Sequence, residues 1–381
     1  MQPSQTSSRG FSSDFAQLGS QLAGVDHQTF TDWRWQMSQQ IISPATAKQY
    51  VHLSPEESDG FGQTQNLFQS GVPPYYMTLI HQLEKQGIDT QALRLQVIPR
   101  IEEVASFGEK DPLLESPHSP VKEVVHVYPD RVAFCVAQLC PVYCRYCFRK
   151  RRDEEQGLHF NRRIIEKGVA YIASQPAIRD VLITGGDPFI ASDQAIEGLL
   201  QKLRKIKHVE IIRFGTRTPV ALPYRITENL TRILAKYHPI WLNTHFNHAL
   251  ELSHDSMVAL ERLSNAGIPL GNQSVLLKGV NDSYDSLLTL NRKLLQNRVR
   301  PYYLFHPHKI AGTQHLQVTV ENGLKIVKKL RGNITGFGIP VYILDTPSGK
   351  IPLPDRILGR DQTDLILENS YGEIWREKGV N

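Results

Sequence analysis

Cys140-Pro-Val-Tyr-Cys144-Arg-Tyr-Cys147 spaces three thiols as C-x3-C-x2-C. Three soft donors this close in sequence suit a metal site, and three rather than four suit a [4Fe-4S] cube that keeps one iron free of protein ligands. The alternative is a zinc site closed by Cys135 or a histidine, because structural zinc usually takes four protein donors. Cys135 lies five residues before the loop in an apolar run, where a buried free thiol is its expected role. All four cysteines of the 381-residue chain fall within positions 135–147, which is wrong for a disulfide framework and right for a metal-binding loop.

The elements that must position this loop repeat as strand then helix. Apolar runs occur at 131–138, 180–185, 209–216, 240–246, 268–277, 299–305 and 339–345. Segments of helical period lie between them, several opened by a Ser or Thr that can cap the helix, as in SDQAIEGLLQKLRKI, TENLTRILAKY and SYDSLLTLNRKLLQN. Runs apolar throughout and separated by helices predict a parallel sheet covered by helices, curled by right-handed crossovers into a full or partial barrel. Cys140, Gly185-Gly186-Asp187, Thr216-Arg217, His245, Gln273, His308 and Asp345 each fall at or just past the carboxyl end of a run. In such barrels that rim carries the active site.

The first 120 or so residues are irregular, with a helix predicted from Pro74 to Gly87, and the tail after Lys350 reads as a short hairpin turning at Asn369–Gly372. With 43 Lys+Arg against 38 Asp+Glu, a net charge of +5 does not by itself argue for nucleic acid, although Arg149-Lys150-Arg151-Arg152 is a basic run. No apolar stretch reaches the roughly 18 residues of a membrane span, and the first residues show no basic-then-apolar leader, so the expected location is the cytoplasm.

CPVYCRYCFRKR on the first strand of this series resembles the cluster loop of radical S-adenosylmethionine (SAM) enzymes, and within them the lysine 2,3-aminomutase family. YPDRV, TGGDP, TRTPVALPYRIT, YHPIWLNTHFNHA, AGIPLGNQSVLLKGVND, RPYYLF and the frame around ILDTPSGKIPL extend the match over nearly all of residues 120–360. The resemblance implies a partial (β/α)6-type radical SAM barrel at 121–338, a helical N-terminal region at 1–120, and a C-terminal segment with a hairpin extension at 339–381. It implies cluster ligands Cys140, Cys144 and Cys147, and SAM contacts from Gly185, Gly186, Asp187, His245 and Gln273. Glycines let backbone approach closely, and a carboxylate or carbonyl at that turn can accept from the ammonium of SAM.

Lys350 matches the lysine that carries pyridoxal 5'-phosphate (PLP), in a loop two residues shorter than the family's usual glycine run. A lysine must lose its proton to bond PLP, which neighbouring cations would assist. Arg131 matches a phosphate-binding arginine whose family companion is Val127 here, and Arg149 matches the arginine that takes the substrate α-carboxylate. Lysine-specific members hold the distal ammonium with two aspartates; Asp345 matches one and His308 replaces the other. A neutral His308 could accept from an ammonium, whereas a protonated one, helped by Lys309, would prefer a carboxylate such as that of glutamate. Arginine also fits one acid. Ser283 stands where the family has a zinc-binding cysteine, so no structural zinc is expected. The implied activity is an amino-acid 2,3-aminomutase, lysine first, with a reductant such as flavodoxin or ferredoxin, a homo-oligomeric assembly, and no nucleic acid or membrane partner. Modification of a protein lysine is a second reading within the family, and a zinc-stabilised nucleic-acid-binding protein is one outside it.

Overall fold

The computed structural model describes residues 10–104, 108–150, 160–361, 363–369 and 371–379. The basic run is described only through Lys150, so Arg151 and Arg152 lie outside these residues.

All seven apolar runs are strands of one nine-stranded sheet whose spatial order follows the chain. These are β2 (Arg131–Ala137), β3 (Asp180–Gly185), β4 (Ile211–Gly215), β5 (Ile240–Thr244), β6 (Leu270–Val275), β7 (Val299–Phe305) and β8 (Val341–Thr346), each parallel to the next. Antiparallel strands flank them, β1 (Val124–Tyr128) on β2 and β9 (Gly349–Leu353) on β8. Across the seam between these outer strands, the Lys350 backbone N–H donates to the Tyr128 hydroxyl at 2.7 Å. The result is the expected partial barrel.

Six helices cross between successive parallel strands: Arg162–Ser174, Asp193–Arg204, Glu228–Ala235, His254–Asn265, Tyr284–Gln296 and Val320–Leu330. Ser192, Thr227, Ser253 and Ser283 each accept a backbone N–H three residues on, as helix caps do. Ser283, expected from the resemblance to stand in place of a zinc-binding cysteine, is one of these caps. The last helix, capped by Thr319, completes the strand–helix alternation expected from the sequence. Its Gly323 is required because a Cβ there would sit 2.2 Å from the Tyr342 ring. Isoleucine, leucine, valine and phenylalanine from strands and helices fuse with the N-terminal helices into one dominant core.

Among the described residues seven α-helices precede β1, one of them the expected helix, at Pro74–Lys85. The tail differs from a simple hairpin. Three strands, β10 (Ile357–Asp361), β11 (Asp364–Glu368) and β12 (Ile374–Glu377), form a separate antiparallel sheet, and the expected turn joins the last two. Within that turn the Asn369 carboxamide oxygen accepts from the N–H groups of Tyr371 and Glu373, both at 2.9 Å. Among the described residues no helix is long and apolar enough to cross a membrane.

Candidate active site

The cysteine loop leaves β2 and is moored to the N-terminal helical region. Tyr143 N–H donates to Gly71 (3.1 Å), Arg145 N–H to Gln96 (2.9 Å), and the Gln40 amide to the carbonyls of Cys140 and Pro141 (both 2.9 Å). Beneath the loop, Arg145 Nη2 and Lys150 Nζ both reach Glu103 Oε2 at 2.5 Å, and the three side chains are at most 3% exposed. Burial and Arg145 push the Lys150 amine down to about 8 against the pull of Glu103.

Cys140, Cys144 and Cys147 are partly exposed on this loop, whereas Cys135 is buried in β2 as expected. Among the described residues no three His, Cys, Asp or Glu side chains gather tightly enough to hold one metal ion. In a [4Fe-4S] cube each thiolate binds a different iron, so its ligands need not converge on a point as they must around single zinc. The donor chemistry fits the cube.

Arg217, seen in the sequence only as a rim residue, donates from Nη1 to Cys144 Sγ at 2.8 Å and from Nη2 to Gln96 (2.7 Å) and Glu251 (2.8 Å). His245 shares a 2.8 Å hydrogen bond with the Tyr146 hydroxyl and stacks on its ring at 5.6 Å. Burial, aided by Arg217, drives the His245 imidazole down to about 3, against an opposing contact with the Gln273 backbone, so it is neutral. His245 and Gln273 therefore meet on the β5–β6 side of the mouth.

At the glycine turn, a Cβ on Gly185 would lie 2.3 Å from the Ala137 carbonyl and one on Gly186 2.3 Å from that of Leu139. The glycines thus let the turn dock on the chain's own cysteine loop, with Gly185 at φ 125°. Of the carboxylate and carbonyl acceptors expected at this turn, the Asp187 carboxylate is engaged by the protein itself. It is 3% exposed and accepts from Thr216 Oγ1 (2.7 and 2.9 Å) and from the N–H groups of Phe189 (3.0 Å) and Arg217 (2.8 Å). Its carboxylate builds the turn, which leaves backbone carbonyls there to receive an ammonium.

On the opposite wall the β8–β9 hairpin turns through Pro347-Ser348 and pairs Asp345 with Lys350. Lys350 Nζ lies 3.2–3.3 Å from both Asp345 oxygens and 5.7 Å from the centre of the Phe305 ring. The expectation that cations lower the Lys350 pKa is corrected: burial, the largest influence, opposes its charge, but Asp345 and Tyr128 together outweigh it and hold the amine above its ordinary value. Arg131 lies 3.7 Å over the ring of Tyr128, whose hydroxyl meets the Lys350 backbone, so arginine, tyrosine and lysine form one chain of contacts. Tyr128 stands in the YPDRV motif yet was not singled out.

His308 lies 5.2 Å from the Phe148 ring, and its Nε2 is covered without a hydrogen-bond partner among the described residues. Burial holds it below its ordinary pKa, with Asp345, Lys350 and Glu115 in electrostatic reach. Lys309, the expected helper of a charged His308, instead donates to Glu377 at 2.8 Å and to the Lys378 carbonyl. Arg149 is paired with Glu115, a residue that no motif marks.

The PLP side fits: an amine beside an acid, aromatic faces at Tyr128 and Phe305, and the cationic Arg131 form its donor set. Together with loop thiols and a glycine turn at the carboxyl rim of a partial (β/α)6 barrel, these features define a radical SAM enzyme, and the Radical SAM superfamily model matches residues 135–290. The chain is 41% identical over 357 residues to L-lysine 2,3-aminomutase of Fusobacterium nucleatum subsp. nucleatum, covering 92% of this chain and 83% of that one. It is 40% identical over 355 residues to L-lysine 2,3-aminomutase of Clostridium subterminale (92% and 84% covered). It is 37% identical over 355 residues to glutamate 2,3-aminomutase of Clostridioides difficile (92% and 83% covered). The chain belongs to the lysine 2,3-aminomutase family of radical SAM enzymes, isomerases whose cofactors are a [4Fe-4S] cluster, SAM and PLP.

Proposed function

We propose that this enzyme moves the α-amino group of free L-lysine to Cβ, giving β-lysine. The observation that carries the reading is the Asp345 carboxylate 3.2 Å from Lys350 Nζ, an acid already holding an ammonium in the barrel mouth. Once that amine is engaged by PLP, Asp345 is free to take the distal ammonium of lysine. A neutral His308 with a vacant acceptor supports the same choice, because it can receive an N–H and offers no charge to a second carboxylate.

When bound, the cluster and SAM supply a hydrogen-abstracting radical and PLP supplies a carbonyl that carries the migrating nitrogen. The protein holds and orients. Cys140, Cys144 and Cys147 ligate the cluster, while the turn at Gly185 and Gly186, built by Asp187, binds SAM with His245 and Gln273. Arg131, aided by Tyr128, holds phosphate in place of the pair that Val127 interrupts. Arg149 receives the α-carboxylate through its planar fork, which suits a free amino acid rather than a lysine within a protein. A flavodoxin or ferredoxin as electron donor, a homo-oligomeric assembly and a cytoplasmic location complete the proposal.

The test is an anaerobic assay of the reconstituted enzyme with SAM, PLP and reductant, offering lysine, glutamate and arginine separately and identifying products by mass spectrometry. β-Lysine is expected. A β-product from glutamate or arginine alone would overturn the choice of substrate, and 5'-deoxyadenosine without any β-amino acid would overturn the free-amino-acid reading.

A further inference from the structure

The segment preceding β1 is folded to deliver one carboxylate. Asp111 accepts from the backbone N–H groups of Glu115 (3.0 Å) and Ser116 (3.1 Å), and the Ser119 hydroxyl donates to the Glu115 carbonyl at 2.7 Å. Leu114 is held at φ 48° with its side chain 48% exposed, a left-handed conformation that a branched residue keeps only where its surroundings enforce it. Glu115 itself is only 8% exposed. Its oxygens receive Arg149 Nε at 2.9 Å and Nη2 at 2.5 Å, while Arg149 Nη1 donates to the Gly185 carbonyl at 3.2 Å.

We infer that Glu115 is a positioning residue for the substrate: it grips Arg149 by the Nε/Nη2 edge and so presents the remaining Nη1/Nη2 edge to the substrate α-carboxylate. The inference rests on the proposed role of Arg149. A guanidinium has five N–H donors in a rigid plane. Among the described residues Glu115 and Gly185 use three, which leaves one on each Nη, the pair that a second carboxylate can bridge end-on. Because Nη1 also braces the Gly185 carbonyl, one clamp sets the substrate carboxylate relative to the glycine turn proposed for SAM. Arg149 reaches the substrate already desolvated, neutralised and aimed.

The test uses Glu115→Gln and Glu115→Asp in the reconstituted holoenzyme, with lysine and lysinamide as paired substrates and iron content and PLP absorbance as checks on loading. Wild type should prefer lysine by about a hundredfold in kcat/KM, the value of a buried charge-assisted pair. In Glu115→Gln the KM for lysine should rise about tenfold at nearly unchanged kcat, with the preference over lysinamide shrinking by the same factor. Lysinamide kinetics should hardly move, and Glu115→Asp should recover part of the loss. Should the Gln variant fail to load, the Asp variant carries the test, its shorter reach raising the lysine KM several-fold. An equal fall in kcat for both substrates would mean a merely structural role and overturn the inference. A lower KM for lysine would overturn it too, since Glu115 would then be a competitor for Arg149. Wild type accepting both substrates equally overturns the reading of Arg149 itself, and that result appears before any residue is changed.

Discussion

Two walls of the barrel mouth hold their polar groups in different ways. On the β2–β6 wall, residues distant in sequence meet in a web: Cys144, Gln96 and Glu251 share Arg217, and Asp187 ties the ends of β3 and β4. On the β7–β9 wall the contacts are single pairs, Asp345 with Lys350 across one hairpin, and a His308 with no partner at Nε2 among the described residues. A web fixes residue identities because each change strands several buried groups, while an isolated pair can be altered one member at a time. Substitutions on the β2–β6 wall should therefore cost more than substitutions on the β7–β9 wall.

The most severe test of the contrast is to break each wall at its centre. Cys144→Ala should lose the iron-sulfur absorbance and all product. Lys350→Ala should also abolish product, and PLP absorbance with it, yet keep its iron. Iron retained in the first variant, or lost in the second, would show that the walls are not separable. Glu103→Gln should act on stability instead, since it leaves Arg145 and Lys150 as uncompensated charges at most 3% exposed. Breaking a buried pair in this way costs about 3–5 kcal/mol, to be read as a lower midpoint in thermal unfolding of the wild type and variant side by side.

The strands, the cluster motif and the Lys350 frame were legible because each is local: apolar runs of six to ten residues, three thiols within eight positions, a turn before a lysine. What was not legible is assembled over distance. Arg217 and Glu251 lie 34 residues apart, as do Glu115 and Arg149, and nothing in either neighbourhood names its partner. The N-terminal helices looked irregular because their task is to hold the cysteine loop, through Gly71, Gln96 and Gln40, rather than to repeat a pattern. β10 escaped notice for another reason: its residues are exposed or half-exposed, so it lacks the alternation that marks a strand.

A gentler probe titrates the histidines. His245 on the β2–β6 wall and His306, bonded to Tyr342 at 2.9 Å behind the β7–β9 wall, are each driven by burial from 6.5 down to about 3. An unfolded chain protonates both near the ordinary value. Between pH 6.5 and 3 the unfolded state therefore binds more protons, and stability, complete above 6.5, falls as pH falls. Thermal midpoints should decline through this window, and His306→Gln should flatten the decline; a midpoint independent of pH there would contradict the buried, neutral assignment.

The smallest expected effect is the most specific to this chain. His308→Asp supplies a second acid, next to Asp345 and within reach of the same distal ammonium. A charge-assisted bond is roughly twice as strong as a neutral one, so the KM for lysine should fall about three- to tenfold. The added carboxylate should also hold the Lys350 proton more firmly, because Asp345 already raises that amine and a second anion acts in the same direction. Loading with PLP should slow accordingly, and the comparison must be made on enzyme saturated with PLP beforehand. Glutamate offers the new aspartate only repulsion. A variant that gains turnover of glutamate, or binds lysine more weakly than wild type, would place His308 away from the distal end of the substrate and return the specificity of this wall to Asp345 alone.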